Sequence, residues 1–290
     1  MGTSPVFVLG VGAQKAGTTW LYHYLRELEG SDFGFTKEYH LHDCISLPCM
    51  RWYRDLLAQQ VCRELSGQNS LSSAISQLAF MGNPRLYYAY FTSLYMSGAR
   101  LSGDITPAYA LLAPEVLAAC DASFARLGIR VMVVYLMRDP LVRLISSLRQ
   151  YRRIRGLPPQ NQEEEAALLS QGWDALPEGV RQRGAYDRTL AVLQQVFPPE
   201  RLHLELYEEL FSAEATERLC RALDAPWRAP DVDRRWNSTG ATLSHLTEPL
   251  IRELAEPQRK PLEACIEVFG LPRLAANWPQ LCASLGYAAP

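Results

Sequence analysis

The sequence predicts a three-layer α/β/α fold around a mainly parallel central sheet, related to the nucleotide-kinase architecture of phosphate-loop proteins. Two apolar, β-branched runs, at residues 4–10 and 131–137, have the composition of buried parallel strands, and a helix start follows each of them. The chain has 290 residues, of which 48% are hydrophobic, and no long linker or repeat divides it. We therefore expect a single domain over residues 1–290.

The first predicted strand leads into a glycine-rich loop, VGAQKAGTTW, at residues 11–20. A strand, such a loop and a helix start in this order present backbone N–H groups and the positive end of the helix dipole to an anion. Gly12 and Gly17 have the spacing of the nucleotidase phosphate loop. However, Thr18 stands where that loop has its lysine, and Lys15 lies inside the loop. The pattern predicts a phosphate-ester site other than an ordinary ATPase or kinase; a plain strand-turn-helix is the alternative.

The same stretch resembles the 5'-phosphosulfate-binding loop of sulfotransferases that use 3'-phosphoadenosine-5'-phosphosulfate (PAPS) and release 3'-phosphoadenosine-5'-phosphate (PAP). The family pattern is close to P-K-[SA]-G-T-T-W-L, and this chain has QKAGTTWL, with Gln14 in place of the proline. The resemblance implies that Lys15 also stabilises charge on the bridging oxygen of PAPS. The implied cofactor-binding residues are Lys15, Ala16, Gly17, Thr18, Thr19 and Trp20.

A second phosphate motif follows the other apolar run. Arg138 leaves the carboxyl end of that predicted strand, where open α/β sheets bind ligands, and Pro140 fits the first turn of a helix. Ser146 lies about two helical turns farther along. These residues resemble the family's 3'-phosphate site, R-[DN]-P-x-x-R-x-x-S, which implies that Arg138 and Ser146 bind the 3'-phosphate. Taken alone, the motif fits an arginine-capped surface helix equally well.

A third segment, FTKEYHLHD at residues 35–43, resembles the K-E-x-x-[FY]-F-D element of the heparan sulfate sulfotransferase branch. The glutamate is the general base in that branch, which implies that Glu38 deprotonates the acceptor. Sulfuryl transfer needs such a base because the nucleophile loses its proton as the bond to sulfur forms. Lys37 or His40 is then expected to orient the sulfate oxygens or the base. We expect the segment to lie just beyond a strand.

Histidine remains an alternative base in this segment, because the small-molecule branch of the superfamily uses histidine. His40 and His42 are the candidates. Leu41 and His42 replace the aromatic pair that is usual in the element, which leaves the shape of the acceptor pocket open. We place Lys37 and His42 among the residues that bind the acceptor.

Two further stretches extend the resemblance, which covers roughly residues 5–225. GDITPAY, at residues 103–109, resembles the branch's G-[ED]-x-[ST]-P-x-Y turn, and it makes Thr106 and Tyr109 candidate acceptor contacts. Residues 183–210 resemble its R-G-x-Y helix, F-P strand entry and Y-E-x-L end. A scaffolding role is the alternative for most of these residues, because a Thr-Pro turn and an apolar helix face give the same pattern.

The remaining part of the chain carries weaker signals. RRWNSTG, at residues 234–240, has the ingredients of the family loop that closes over the 3'-phosphate and adenine, without its pattern, and Arg235 and Ser238 are the candidates there. Residues 157–179 contain two adjacent prolines and three consecutive glutamates, which predict a solvated loop and a short helix.

Charge and cysteine content limit the function classes. The net charge is -2, with five arginines between positions 143 and 155 that we expect to steer an anionic cofactor. The stretch lacks interleaved aromatics, so it does not predict a nucleic-acid surface. Seven cysteines without a C-x-x-C pair predict free thiols in a reducing cytoplasm. No apolar run has the length of a membrane span, and the irregular His and Cys spacing around position 44 does not predict a metal site.

These observations predict a soluble, cytoplasmic, bacterial-type PAPS-dependent sulfotransferase that acts without a metal on an acceptor hydroxyl or, as an alternative, an amine. The acceptor is expected to be a small molecule, a glycan, a lipid or a carrier-bound acyl chain, with no membrane insertion. A nucleotide-kinase-like phosphotransferase and an inactive PAPS- or glycan-binding module are the alternative functions. The sequence makes no prediction of the oligomeric state.

Overall fold

The computed structural model describes residues 4–66, 72–232 and 240–287. Four parallel strands form its sheet, and their order in space is second, first, third, fourth. The strands are β1 (Val6–Gly12), β2 (Leu101–Ile105), β3 (Arg130–Met137) and β4 (Leu202–Leu206). The predicted parallel α/β fold is confirmed, and both apolar runs form strands where they were expected.

Helices make up most of the rest of the described residues. They are α1 (Thr18–Arg26), α2 (Leu41–Ser46), α3 (Arg51–Ser66), α4 (Ser73–Gly82), α5 (Pro84–Met96), α6 (Pro114–Ala125), α7 (Pro140–Ile154), α8 (Gln162–Leu169), α9 (Glu178–Gln182), α10 (Tyr186–Val196), α11 (Ala213–Ala222), α12 (Glu248–Ala255), α13 (Arg259–Phe269), α14 (Leu271–Asn277) and α15 (Pro279–Ser284).

The sheet is covered on both faces, as a parallel sheet requires. Every residue of β1 and β2 is buried, so side chains of both alternations are shielded from water. On one face Phe7 packs against Phe91 of α5 and Phe124 of α6, with ring centroids 4.8 and 4.0 Å away. A continuous cluster of buried apolar side chains extends from Val6 to Leu285.

The carboxyl ends of the strands bring four chain segments to one edge of the sheet. The loop after β1 leads into α1, Thr106 follows β2, Arg138 follows β3, and Tyr207 follows β4. Parallel pairing fixes this convergence, because Val8 aligns with Gly103 in β2 and with Met132 in β3. Open α/β sheets bind their ligands at this edge.

The helix after β3 begins as predicted, but its arginines do not form one solvated basic face. Asp139 caps α7 by accepting hydrogen bonds from the backbone N–H groups of residues 141 and 142, and Pro140 occupies the first turn. Arg143 is fully buried and donates to the Ser147 hydroxyl at 3.1 Å. A Cβ atom at Gly184 would overlap its guanidinium. Arg143 therefore has a packing role, and the expectation that it steers the cofactor is not supported.

The stretch at residues 157–179 also differs from its prediction. Asn161 and Glu164 form a capping box at the start of α8, which gives the expected short helix. Glu165, however, is buried and receives two hydrogen bonds from Arg149, at 2.7 and 2.9 Å. Its carboxylate is also 2.9 Å from His245. A run of glutamates predicts solvation, but these contacts tie the third one to α7.

Candidate functional site

The loop between β1 and α1 has the backbone shape of an anion cradle. Lys15 and Gly17 have positive φ angles of 69° and 87°. A Cβ atom at Gly17 would lie 2.9 Å from Leu210 and 3.0 Å from Tyr207, so a side chain there would meet both strain and a collision. Helix α1 starts at Thr18 without a side-chain cap. Its first N–H groups are thus available to a ligand.

Arg138 joins this loop to the ends of β3 and β4. Its Nη1 donates to the carbonyl oxygen of Lys15 at 3.1 Å, and its guanidinium carbon lies 4.4 Å from the centre of the Tyr207 ring. The neighbouring carboxylate of Glu208 accepts a hydrogen bond from the backbone N–H of Asp139 at 3.0 Å. These contacts hold Arg138 beside the cradle.

Lys37 reaches the cradle from the segment between α1 and α2. Its ammonium donates to the Thr18 hydroxyl at 3.2 Å and to Glu38 Oε1 at 2.6 Å. Lys37 therefore connects the start of α1 to the carboxylate that the sequence marks as the base. Contrary to expectation, the segment does not follow a strand; the described residues 27–40 contain an isolated bridge from Ser31 to Leu101 instead.

Glu38, His40 and Asp43 form a hydrogen-bonded row behind Lys37. His40 Nε2 is 3.2 Å from Glu38 Oε2, and His40 Nδ1 is 2.6 Å from Asp43 Oδ2. Burial disfavours the imidazolium, but the hydrogen bonds to Asp43 and Glu38 outweigh it and raise the pKa of His40 to about 9. His40 is therefore protonated at neutral pH and donates from both nitrogens.

The same contacts keep Glu38 ionised. Burial favours its neutral form, but the charge of Lys37 and the hydrogen bond from His40 prevail and lower the pKa of Glu38 to about 2. Its side chain remains 35% exposed, so the carboxylate is accessible from the cleft. Glu38 is thus an anionic group held between two cations and open to a ligand.

Positive charge is concentrated at the cradle. Burial, together with the neighbouring cations Arg153, Arg138 and Lys37, lowers the pKa of Lys15 to about 8. Such mutual repulsion is relieved when an anion binds among the cations.

These side chains line one cleft of about 300 Å³, which we call the catalytic cleft. It contains the predicted residues Lys15, Gly17, Thr18, Thr19, Trp20, Lys37, Glu38, His40 and Arg138. Ala16, which belongs to the loop, is fully buried and does not line the cleft.

Four predicted site residues lie elsewhere. Ser146 is fully buried and does not line the cleft. His42 points into the core, where its ring contacts those of Tyr87 and Tyr109. Burial lowers the pKa of His42 to about 4, and its Nε2 has no hydrogen-bond partner among the described residues. The proposed acceptor contact at His42 is therefore not supported, since a neutral core histidine cannot reach the cleft.

Thr106 and Tyr109 are also buried, and both bind Asp104 instead of facing the cleft. Asp104 accepts hydrogen bonds from the Thr106 hydroxyl at 2.6 Å and the Tyr109 hydroxyl at 2.7 Å. It also accepts from the Tyr87 hydroxyl at 3.0 Å and from the backbone N–H of Tyr39 at 3.2 Å. This set, which we call the Asp104 cluster, anchors the segment that carries Glu38. It favours the scaffolding alternative for Thr106 and Tyr109.

Arg235 and Ser238 lie outside the described residues, so their predicted contacts to the cofactor stay predictions. Among the residues that the structure describes, one group has the composition of a metal site: His40, Asp43 and Cys44 have candidate ligand atoms within 4.8 Å of one another. No helix of the described residues is both long and apolar enough to span a membrane.

Sequence reasoning assigned no ligand contact to Arg183 or Tyr207, which line the cleft. It had placed Arg153 among the arginines expected to steer the cofactor and Gln14 at the proline position of the loop, and both line the cleft as well. The position of Tyr207 directly after β4 was a usable signal, because that strand ends at the ligand-binding edge of the sheet. Arg183 begins the R-G-x-Y stretch and directly follows α9, and its resemblance to the family motif indicated no contact for the side chain itself.

Comparisons with known proteins bear on the family and the fold of this chain. The family model described as "Sulfotransferase domain" matches residues 5–239. The crystal structure of a sulfotransferase from Alicyclobacillus acidocaldarius has 16% sequence identity and a TM-score of 0.54, over 99% of this chain and 98% of that one. At such identity the match concerns the fold alone.

Two other solved structures match over the whole length. The sulfotransferase domain from the curacin biosynthetic pathway has 20% identity and a TM-score of 0.46, over 100% of this chain and 99% of that one. The sulfotransferase domain from the Synechococcus PCC 7002 olefin synthase has 18% identity and a TM-score of 0.46, over 100% and 98%. No curated protein matches the chain.

Proposed function

Because this chain belongs to the sulfotransferase domain family, we propose that it transfers a sulfuryl group from PAPS to an acceptor hydroxyl. The observation that carries the proposal is the convergence, in one cleft, of three cations around an anion cradle and one accessible carboxylate. The cations are Lys15, Lys37 and Arg138, and the carboxylate is Glu38. The cations suit a donor with phosphate and sulfate groups, and the carboxylate suits a hydroxyl that must lose a proton.

The cradle residues fit the 5' end of PAPS. Helix α1 begins without a side-chain cap after a loop with two left-handed residues, so its first backbone N–H groups are available to the donor, and Lys15 and Lys37 add full charges in the same cleft. PAPS supplies the sulfuryl group when bound. Lys15 neutralises charge on the phosphate that is left behind, and Lys37 orients the sulfate oxygens. Arg138 is assigned to the 3'-phosphate, while a role for Ser146 stays a prediction.

Glu38 is the proposed general base. Its carboxylate is ionised at neutral pH and accessible, whereas His40 is protonated and therefore has no free lone pair to accept a proton. His40 instead steadies Glu38 through Nε2 and is itself held by Asp43 through Nδ1. The ammonium of Lys37 keeps Glu38 a weak base. A bound anion that shares this ammonium would make Glu38 more basic.

Calorimetry with PAP, ADP and ATP tests the donor assignment. We expect PAP to bind at least about tenfold more tightly than ADP, because a charge-assisted contact to the 3'-phosphate contributes about 1.5–3 kcal/mol. Binding should not require magnesium. Arg138→Ala should remove the preference for PAP, and Arg252→Ala, at an exposed position of α12, is the matched control. Equal affinity for PAP and ADP, or magnesium-dependent ATP binding, would refute the donor assignment.

A screen with labelled PAPS over alcohols, phenols, glycans, lipids and carrier-bound acyl chains would identify the acceptor, with amines as the comparison.

A cytoplasmic location of the protein belongs to the same proposal. It is supported by the seven cysteines, all of which are free thiols.

A further inference from the structure

A second cavity of about 970 Å³ adjoins the catalytic cleft, and we call it the side groove. Helices α3, α7 and α9 contribute its walls, represented by Leu56, Tyr151 and Val180. Trp52, Ile154 and Arg183 line both cavities, so the groove opens directly into the cleft. Its volume is at the upper end of the range for small-molecule sites.

The walls of the side groove expose large apolar side chains. Trp52 is 48% exposed, Leu56 44% and Ile154 56%, and all three line this one groove. Single exposed apolar residues are ordinary, but a contiguous set next to an active-site cleft indicates a surface that a ligand covers. Leu56 and Ile154 offer a sugar chain no hydrogen bond, whereas an apolar chain would bury both side chains.

The groove is also positively charged. Arg155, Arg183 and Arg188 line it, against one carboxylate, Glu178. Arg155 and Arg188 belong to the groove and not to the cleft, which places positive charge away from Glu38. Arg183 stands at the junction, where its Nε has no hydrogen-bond partner among the described residues and one amino group contacts the Met50 sulfur at 3.6 Å. A guanidinium in this setting favours an anionic ligand group.

We propose that the acceptor is an alcohol carried on an extended apolar chain that also bears an anionic group. The chain lies along Trp52, Leu56 and Ile154, the anionic group binds the arginines of the side groove, and the hydroxyl reaches Glu38 in the cleft. This inference rests on the proposed function, because it assigns the second substrate of the same reaction.

Binding of ω-hydroxydodecanoate in the presence of saturating PAP tests the proposal without requiring turnover. Dodecanediol, which lacks the carboxylate, and an unsulfated heparan oligosaccharide are the comparison ligands. We expect ω-hydroxydodecanoate to bind at least about tenfold more tightly than either. Leu56→Glu and Arg188→Glu, which change the groove and not the cleft, should each weaken its binding by about tenfold or more and leave PAP binding unchanged.

Leu127→Glu and Arg252→Glu are matched controls, since both positions are exposed and neither lines the groove. They should bind ω-hydroxydodecanoate as the unmodified chain does. Tighter binding of the oligosaccharide, or full affinity in Leu56→Glu and Arg188→Glu, would overturn the acceptor assignment while PAP binding leaves the donor assignment standing. Failure of PAP itself to bind would instead refute the proposed function.

Discussion

Glu38 and the carboxylate that anchors its segment, Asp104, lie in opposite electrostatic environments. Glu38 lies in the catalytic cleft, and the cations around it outweigh burial and lower its pKa to about 2. Asp104 is fully buried, and burial outweighs its hydrogen bonds and raises its pKa to about 6. Neighbouring charges thus keep the accessible Glu38 ionised, whereas hydrogen bonds hold the buried Asp104 in place. The comparison indicates which of the two is available for chemistry and which fixes its position.

The largest expected effect comes from the amide replacement of Glu38. Glu38→Gln nearly preserves size but cannot accept a proton, so transfer to a hydroxyl acceptor should fall by roughly 10²–10⁴-fold while PAP still binds. Initial rates with labelled PAPS and calorimetry with PAP measure the two quantities. Asp104→Asn is the matched control, and it should keep most of the rate.

The histidines complete this test. His40→Ala should lower the rate, because it removes the donor to Glu38 Oε2, and His42→Ala should affect stability more than rate. Near-normal turnover in Glu38→Gln together with collapse in a histidine variant would move the base from Glu38 to histidine.

The free energy of unfolding should depend more on Asp104 than on Glu38, which is the reverse of the order expected for the transfer rate. Asp104→Ala leaves the hydroxyls of Thr106, Tyr87 and Tyr109 without their acceptor, and we expect it to lower the free energy of unfolding by about 3 kcal/mol. Glu38→Ala, at a partly exposed site, should cost much less. Urea unfolding of both variants checks this, and equal losses would show that the Asp104 cluster is no more structural than the cleft.

The pH dependence has a definite sign for Asp104. Its pKa is raised above the ordinary 3.8, so the folded state binds this proton more tightly than the unfolded state does. Its contribution to stability is complete below pH 3.8 and is lost as the pH rises through about 6. Asp104→Asn should remove this component from a stability profile measured over that window.

The smallest expected effect concerns Lys15, whose pKa is lowered to about 8. The folded state resists its charge, a cost that is complete below pH 8 and relieved as the pH rises toward 10.5. Lys15→Met should therefore stabilise the protein at pH 7, by no more than about 1 kcal/mol after allowance for solvent screening, and weaken PAP binding. Thermal unfolding with Lys260→Met as the control measures the difference. A loss of stability at pH 7 would contradict the assignment.

The sequence predicted those parts of the molecule whose signals are local. Each of the two apolar runs is followed within a few residues by a helix-start signal, the glycine loop in one case and Arg-Asp-Pro in the other. The predicted strand ends and helix starts therefore agree with the structure. The grouping of Lys37, Glu38 and His40 was also accessible, because the three residues are neighbours in sequence.

Long-range packing determines the burial of the side chains that the sequence did not place correctly. His42 alternates with His40 in sequence, yet it is buried among tyrosines of α5 and the turn after β2. Glu165 resembles its solvated neighbours until Arg149 of α7 binds it. Such outcomes depend on which element packs alongside, and composition does not contain that information.

The close approach of Arg143 to Gly184 has an evolutionary consequence. A buried guanidinium occupies the space that any side chain at 184 would need, so neither position can change freely while the other is kept. Sequences of this family should therefore show these two sites substituting together: arginine at the first with glycine at the second, and a bulkier residue at the second only where the first has become short. Statistical coupling between the two columns would then report packing, even though Arg143 lies inside a motif that would otherwise be attributed to cofactor binding.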